Sequence, residues 1–333
     1  MRPRVAAVVL ALAGAMLGAP VVAVADPPPV PVPAGPLVDP LTRARSLFGA
    51  HSFQASIDLL DTYLRDHPRD ARALVMRGDA KAELADDNGA LRDYNAAIGI
   101  DPDYEYAYVT RCETRLDAGD AAGALKDCDR AVSLDARDPQ AYKDRADVEF
   151  TNGAYDTALT DYDRAVALGQ TGPWVLAARC DVERILDKRD AATRDCTRAL
   201  EIDPKNRRGL WASGRLALGD GRYRDGIQAL NAYIAQDPTG STSGYYFRAF
   251  AYNRIQSYML ALEDIQTYVQ RAPDDPDGYR ERAIARYGSG DKDGALADLD
   301  VALRGYRKGG DTDWAERVTA MRKAVQAGTP LAP

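Results

Sequence analysis

Small and large apolar residues recur along the chain with a fixed long period. Ala90, Ala124, Ala158 and Ala192 stand 34 residues apart, and seven positions on from each stands Ala97, Ala131, Ala165 and Ala199. Larger side chains, Tyr94, Tyr162, Leu230, Ile265 and Leu299, follow the small residue by four positions, one turn along the same helical face. Upstream in each period a second small residue recurs, as in Gly78, Ala146 and Ala283, where two helices must approach closely. Between the two stretches lie turn sequences such as Gly119-Asp120, Asn152-Gly153 and Gly219-Asp220-Gly221. Prolines at 68, 102, 204, 238 and 273 mark where helices must stop. The pattern predicts a helix-turn-helix unit repeated about eight times, with units beginning near residues 37, 71, 105, 139, 173, 207, 242 and 276. One extra residue falls in the loop Thr239 to Gly244, between the sixth and seventh units.

A unit of this size cannot bury its apolar face alone, so neighbours must stack into one elongated array. The reading is therefore all-α, with repeats over 37–309. A last amphipathic helix over 310–328, with Trp314, Val318, Met321 and Val325 on one face, caps the final unit, and residues 329–333 form a tail. Asp311 or Asp313 can cap its start and Gly328 its end.

With segments such as Ala90-Leu91-Arg92-Asp93-Tyr94, then Ala97 and Asp101-Pro102, the chain resembles the tetratricopeptide repeat family over about residues 37 to 308. The resemblance implies a right-handed superhelical solenoid of paired helices, the first helix of each pair lining a concave groove. Three places depart from the family pattern: Gln170-Thr171-Gly172 replaces an Asp-Pro close, Gly226 stands for the usual alanine, and Ser56 does so in the first unit.

Eight copies in one chain allow an internal comparison. Arg77, Arg111, Arg145, Arg179, Arg248 and Arg282 precede the small residue of the first helix, and sixteen residues on stand Asp93, Asp127, Asp161, Asp195, Asp264 and Asp298. In the sixth unit both are lost together, as Ser213 and Ala229. Paired loss points to an Arg–Asp bridge between the two helices of a unit, or to a charged contact with the neighbouring unit. Cysteine obeys the same spacing: Cys112 with Cys128, and Cys180 with Cys196, occur as matched pairs in two units. In an exported protein such pairs predict disulfides Cys112–Cys128 and Cys180–Cys196; small buried thiols are the alternative.

Export is itself read from the start of the chain. Arg2 and Arg4, the apolar run Val5 to Leu17, and Ala23-Val24-Ala25 form the charge, core and small-residue pattern of a secretory signal over 1–25, cleaved after Ala25. A retained membrane anchor is the competing reading, against which the short apolar core counts. A proline-rich linker spans 26–36. The mature chain is then periplasmic or secreted. Removing Arg2 and Arg4 takes the 43 basic residues to 41 against 50 acidic ones, a net charge of about −9, which argues against nucleic acid as a partner.

Nothing in the chain selects a catalytic set. The two histidines, His51 and His67, both fall in loops of the first unit, and no metal-ligand spacing, nucleophile triad or phosphate loop is present. The chain is read as a non-enzyme without cofactor or metal.

The groove that the resemblance implies offers the residue after each small residue of the first helix. Read along the chain these are Arg45, Asp79, Glu113, Asp147, Asp181, Arg215, Phe250 and Ile284, with Tyr106, Phe150 and Trp174 beside the carboxylates and Trp211, Tyr246, Phe247 and Tyr287 beyond. A row of like charges attracts the opposite charge, and exposed aromatics anchor interfaces. The expected partner is a peptide or protein segment with basic and apolar stretches. The expected function is a protein-protein interaction scaffold or adaptor; the alternative is an accessory subunit that presents substrate to a cell-envelope enzyme.

Overall fold

The computed structural model describes residues 39–331; the expected signal and linker lie outside the described residues. Seventeen α-helices and no strand occur among them. Two compact bodies divide the chain, one ending at Ala107 and the other beginning at Tyr108.

In the first body α1 (Pro40–Gly49) pairs with α2 (Phe53–Asp66), and α3 (Ala71–Glu83) with α4 (Asp87–Ile100). Its core is built on Ala44, Leu60, Val75, Ala90 and Tyr94. Gly78 lets α3 and α4 close on one another: a Cβ there would lie 2.5 Å from the Tyr94 ring. Ser56, the departure in the first unit, is buried and its hydroxyl donates to the Ala44 carbonyl at 3.0 Å, which stitches α2 to α1.

α5 (Glu105–Asp117) carries the chain into the second body, which holds α6 (Ala121–Leu134), α7 (Pro139–Thr151), α8 (Tyr155–Ala167), α9 (Pro173–Ile185), α10 (Arg189–Ile202), α11 (Arg207–Gly219) and α12 (Tyr223–Gln236). It continues with α13 (Thr242–Arg254), α14 (Tyr258–Arg271), α15 (Pro276–Gly288), α16 (Lys292–Gly309) and α17 (Thr312–Ala327). From α6 on, each helix packs against the next. The first helices α7, α9, α11, α13 and α15 also touch in succession, so they share one face of the body. The result is an all-α repeat solenoid. At its end Asp311 caps α17 by accepting from the Trp314 amide, and Gly328 closes it in the left-handed conformation.

The turn inside every helical pair demands one left-handed residue. Positive φ occurs at His51, Ala85, Gly119, Gly153, Asp187, Gly221, Gln256 and Gly290, spaced by 34 except for the single extra residue before Gln256. Four of these turns have glycine; the other four hold a side chain in a conformation that costs about 1–2 kcal/mol.

All six Arg–Asp pairs form two-pronged bridges within their helical pair. Arg145 is typical: its Nε and Nη2 donate to Asp161 at 2.6 and 2.9 Å. Arg77, Arg111, Arg179, Arg248 and Arg282 repeat the geometry. The remaining guanidinium arm reaches back sixteen or seventeen residues to the preceding unit, to Asp61 from Arg77, Asp129 from Arg145, Asp163 from Arg179 and Asn231 from Arg248. Both contacts inferred from the paired loss are thus made by one side chain. The cysteines are bonded as expected, Cys112–Cys128 joining α5 to α6 and Cys180–Cys196 joining α9 to α10, with Cα atoms 5.6 and 5.5 Å apart.

Candidate functional site

The shared face of the first helices carries the residues singled out by the repeat, but the structure gives them unequal roles. Asp147, on α7, is only 4 % exposed. Lys143 Nζ lies 3.1 Å from it, one turn earlier on the same helix, and Arg208 Nη1 reaches it at 3.1 Å from the start of α11. The Tyr162 hydroxyl donates to it from α8. Burial raises its pKa, but Lys143 and Arg208 outweigh burial and hold the carboxyl below the usual carboxylate range.

Asp144 has the opposite balance. Burial pushes it up to about 7, against the pull of the Lys143 ammonium 2.6 Å away, and Glu113 and Asp147 add to the rise. Glu113 itself is half-buried. Asp181 is also buried and takes a bond of 2.7 Å from Arg184, three residues on. Asp147 and Asp181 therefore offer no unpaired negative charge. Lys143, Arg208 and Arg184, which lie off the repeat position of the groove, are the cations that pair with these two carboxylates.

Arg215 occupies the same place one unit after Asp181 and two after Asp147. It pairs with no carboxylate among the described residues; its guanidinium lies over the Phe247 ring at 3.9 Å and the Trp211 ring at 5.3 Å. Burial, with the nearby Arg184, pushes its pKa below the ordinary arginine value, and Asp181 opposes them. Trp211 is itself packed, 5.1 Å from Tyr233 and 5.4 Å from Phe247. The aromatic side of the face thus carries a half-buried cation on a ring platform.

Further along, Phe250 stacks under Arg254 at 4.2 Å, and one nitrogen of Arg254 is buried without a hydrogen-bond partner. The Tyr246 hydroxyl accepts from Arg280 at 3.0 Å, which ties it into the packing of the last unit. The Tyr287 hydroxyl donates to the Thr329 carbonyl at 3.0 Å, so it fastens the C-terminal tail. Trp174 is half-buried at the start of α9.

In the first body Asp79 accepts from the Tyr94 and Tyr106 hydroxyls at 3.0 and 3.2 Å. It lines a cavity of about 350 Å³ together with Arg45, Arg72, Tyr104 and Tyr106. Arg72 and Tyr104 escaped the repeat reading because it followed one position per unit. Lys143 and Asp147, four apart on one helix, were the available signal for the buried network.

Among the described residues no helix is long and apolar enough to cross a membrane, and no group of three or more His, Cys, Asp or Glu side chains is placed to hold a metal.

Comparison with known proteins agrees with this architecture. Among solved structures, the APC/C hetero-tetramer Cut9–Hcn1 superposes with a TM-score of 0.63 at 14 % identity, over 84 % of this chain and 55 % of that one. A tetratricopeptide repeat protein from Parabacteroides merdae gives 0.52 at 20 % identity, over 77 % and 98 %. At these identities the likeness concerns the fold. A curated relative, the TPR repeat-containing thioredoxin TDX of Arabidopsis thaliana, is 28 % identical over 110 residues; the match takes in 33 % of this chain and about a quarter, 27 %, of that protein. The family described as Tetratricopeptide repeat matches residues 41–105, 113–173 and 186–241, more than half of the chain. The chain belongs to the tetratricopeptide repeat family.

Proposed function

We propose that the chain is an exported, non-enzymatic scaffold that holds a partner protein segment against the shared face of the first helices in its second body. The observation that carries this reading is Arg215: a half-buried guanidinium on the Trp211 and Phe247 rings, paired with no carboxylate among the described residues. Holding a cation in that state is unfavourable for folding alone, and an incoming carboxylate on the partner would relieve it. The partner segment therefore carries an acidic residue next to apolar ones. This replaces the basic stretch expected from Asp147 and Asp181, whose charge is spent inside the fold.

Export is supported by the pattern of residues 1–25 and by two disulfides, which persist in oxidising compartments such as the periplasm or the exterior. The repeat array takes up almost the whole described chain, which gives it a long surface suited to holding a partner.

In-cell photocrosslinking from position 250, in place of Phe250, tests the reading. A discrete adduct to an exported protein is expected, and Arg215→Glu should remove it while leaving the helical content unchanged. No adduct, or one indifferent to Arg215→Glu, rejects the proposed face.

A further inference from the structure

The first body has its own cavity, of about 350 Å³, at the small end of the range for binding pockets. Phe48 of α1 and Met76 of α3 give it apolar walls, and Tyr104 and Tyr106 line it with ring centroids 6.4 Å apart. Tyr106 is 47 % exposed, a large aromatic surface open to solvent. The charges around this space balance. Burial raises the pKa of Tyr104, Asp79 and Asp70 add to the rise, and Arg72 and Arg45 oppose it, which sets two cations against two anions. Both carboxylates are supplied with donors: Asp79 accepts from the Tyr94 and Tyr106 hydroxyls, and Asp70 from the Tyr63 hydroxyl and the Ala73 amide. The cavity therefore has apolar and aromatic surface to offer, together with the N–H groups of Arg45 and Arg72, both exposed.

A fitting occupant is uncharged and apolar, with acceptors but few donors. Proline-rich chain has these properties: proline lacks an N–H, the carbonyls of a polyproline II helix have no internal partner, and such helices dock on aromatic-lined surfaces. This chain carries such a stretch just ahead of the cavity. Residues 27–36, outside the described residues, read Pro-Pro-Pro-Val-Pro-Val-Pro-Ala-Gly-Pro and contain no charged side chain. At three residues per turn, Pro27, Val30, Pro33 and Pro36 fall on one face. The stretch is also within reach. Arg45 and Phe48 lie about 8 and 12 Å along α1 from Pro40, and residues 34–39 can span up to about 20 Å.

We propose that the proline-rich stretch is a built-in ligand of the first body: residues 27–33 turn back onto the cavity, their prolines and valines against Phe48, Met76, Tyr104 and Tyr106. Their carbonyls accept from Arg45 and Arg72. The occupant belongs to the same chain rather than to a second copy, because a short tether holds it at an effective concentration in the millimolar range. An external segment that uses this cavity has to displace it.

The test compares the chain from Asp26 to Pro333 with one lacking residues 27–36, both carrying ¹³C-methyl methionine and valine, by NMR. Met76 reports the cavity, while Met259 of α14 and Met321 of α17 serve as controls elsewhere. In the longer chain, methyl cross-peaks should join Met76 to Val30 or Val32. Deletion should shift Met76 and leave Met259 and Met321 in place. The acetylated, amidated decapeptide of residues 27–36 should then restore the Met76 shift in the shorter chain, and bind the longer chain roughly tenfold more weakly or worse, because the cavity is already filled. V30D/V32D, placed outside the helical fold, should abolish the cross-peaks, and Tyr106→Ala should do the same from the cavity side.

A Met76 signal identical in the two chains overturns the proposal, whatever the peptide does. So does a Met76 cross-peak that survives V30D/V32D. Cross-peaks seen between differently labelled copies, and absent within one copy, overturn the intramolecular assignment. The crosslink from position 250 plays no part in these measurements, so the Arg215 face and this cavity stand or fall separately.

Discussion

Asp147 and Arg215 hold the same place in the repeat, two units apart, on α7 and α11. Asp147 is sealed into the protein by Lys143, Arg208 and Tyr162. Arg215 is half-buried against rings and pairs with no carboxylate among the described residues. The repeat thus dictates where a side chain points, and residues off the repeat dictate what it does. Arg208 shows this directly: it comes from the start of α11, the helix that carries Arg215, 61 residues from Asp147, and turns a groove carboxylate into a structural one.

The largest effect should come from breaking the sealed side. Asp147→Ala leaves Lys143 and Arg208 facing each other without their shared carboxylate, and removal of one member of a buried ionic group typically costs about 3–5 kcal/mol. Chemical denaturation should show a loss of that size. A loss below about 1 kcal/mol would mean that Asp147 is as dispensable to the fold as a groove residue, and the contrast with Arg215 would collapse.

The next effect concerns the Arg–Asp bridges, which the sixth unit lacks at Ser213 and Ala229. Arg145→Ala and Asp161→Ala each remove both prongs at 2.6 and 2.9 Å. The double variant should cost less than the two single losses summed, with a coupling of roughly 1–3 kcal/mol. Strict additivity would remove the bridge from the forces that fix the helical pair. The unit carrying Arg215 would then be no different from its neighbours in this respect.

These examples separate what the sequence reveals from what it hides. The Arg–Asp and Cys–Cys contacts are legible because each recurs at a fixed spacing of sixteen, the cysteines only as matched pairs, and because the sixth unit loses Arg and Asp together; the first unit, with Arg43 but Leu59, is the exception. The left-handed turn residue is only half legible. Glycine announces it at Gly119, Gly153, Gly221 and Gly290, but Ala85 and Gln256 adopt the same backbone with no such signal. The contact between Arg208 and Asp147 occurs once, so no internal comparison can find it. The cavity around Arg72 and Tyr104 likewise depends on several turns of different helices meeting at one point, which a one-position-per-unit reading does not reach.

A smaller effect should appear with pH, again on the sealed side. Asp144 rises from 3.8 to about 7 and Glu183 from 4.5 to about 7, in both cases chiefly through burial. Around Asp144 stand Lys143, which opposes the rise, and Glu113 and Asp147, which add to it. Around Glu183, Asp195 and Asp163 add to the rise, while Arg179 and Arg194 oppose it. A raised carboxyl pKa means that the folded state binds protons the unfolded state has already released. The stabilisation is complete below the unfolded pKa and is lost as pH rises toward about 7. The thermal midpoint should therefore fall between pH 5 and pH 8, and D144N combined with E183Q should flatten that slope. A midpoint that climbs across the same interval would contradict the burial assigned to these two groups.

The smallest effect on stability belongs to Arg215, and its smallness is what distinguishes the two sides. A buried cation without an ion pair keeps its desolvation cost and gains only what the rings return, which at partly desolvated sites is about 0.5–2 kcal/mol. Arg215→Leu removes both terms and leaves an apolar side chain against Trp211 and Phe247. Its stability should lie within about 1 kcal/mol of the original, on either side of zero, as apolar replacement of buried charge commonly does. The same substitution should abolish the crosslink from position 250, since leucine offers a carboxylate nothing. Were Arg215→Leu to destabilise the chain as severely as Asp147→Ala, Arg215 would be a structural cation with a partner of its own, and the two halves of the face would share one role.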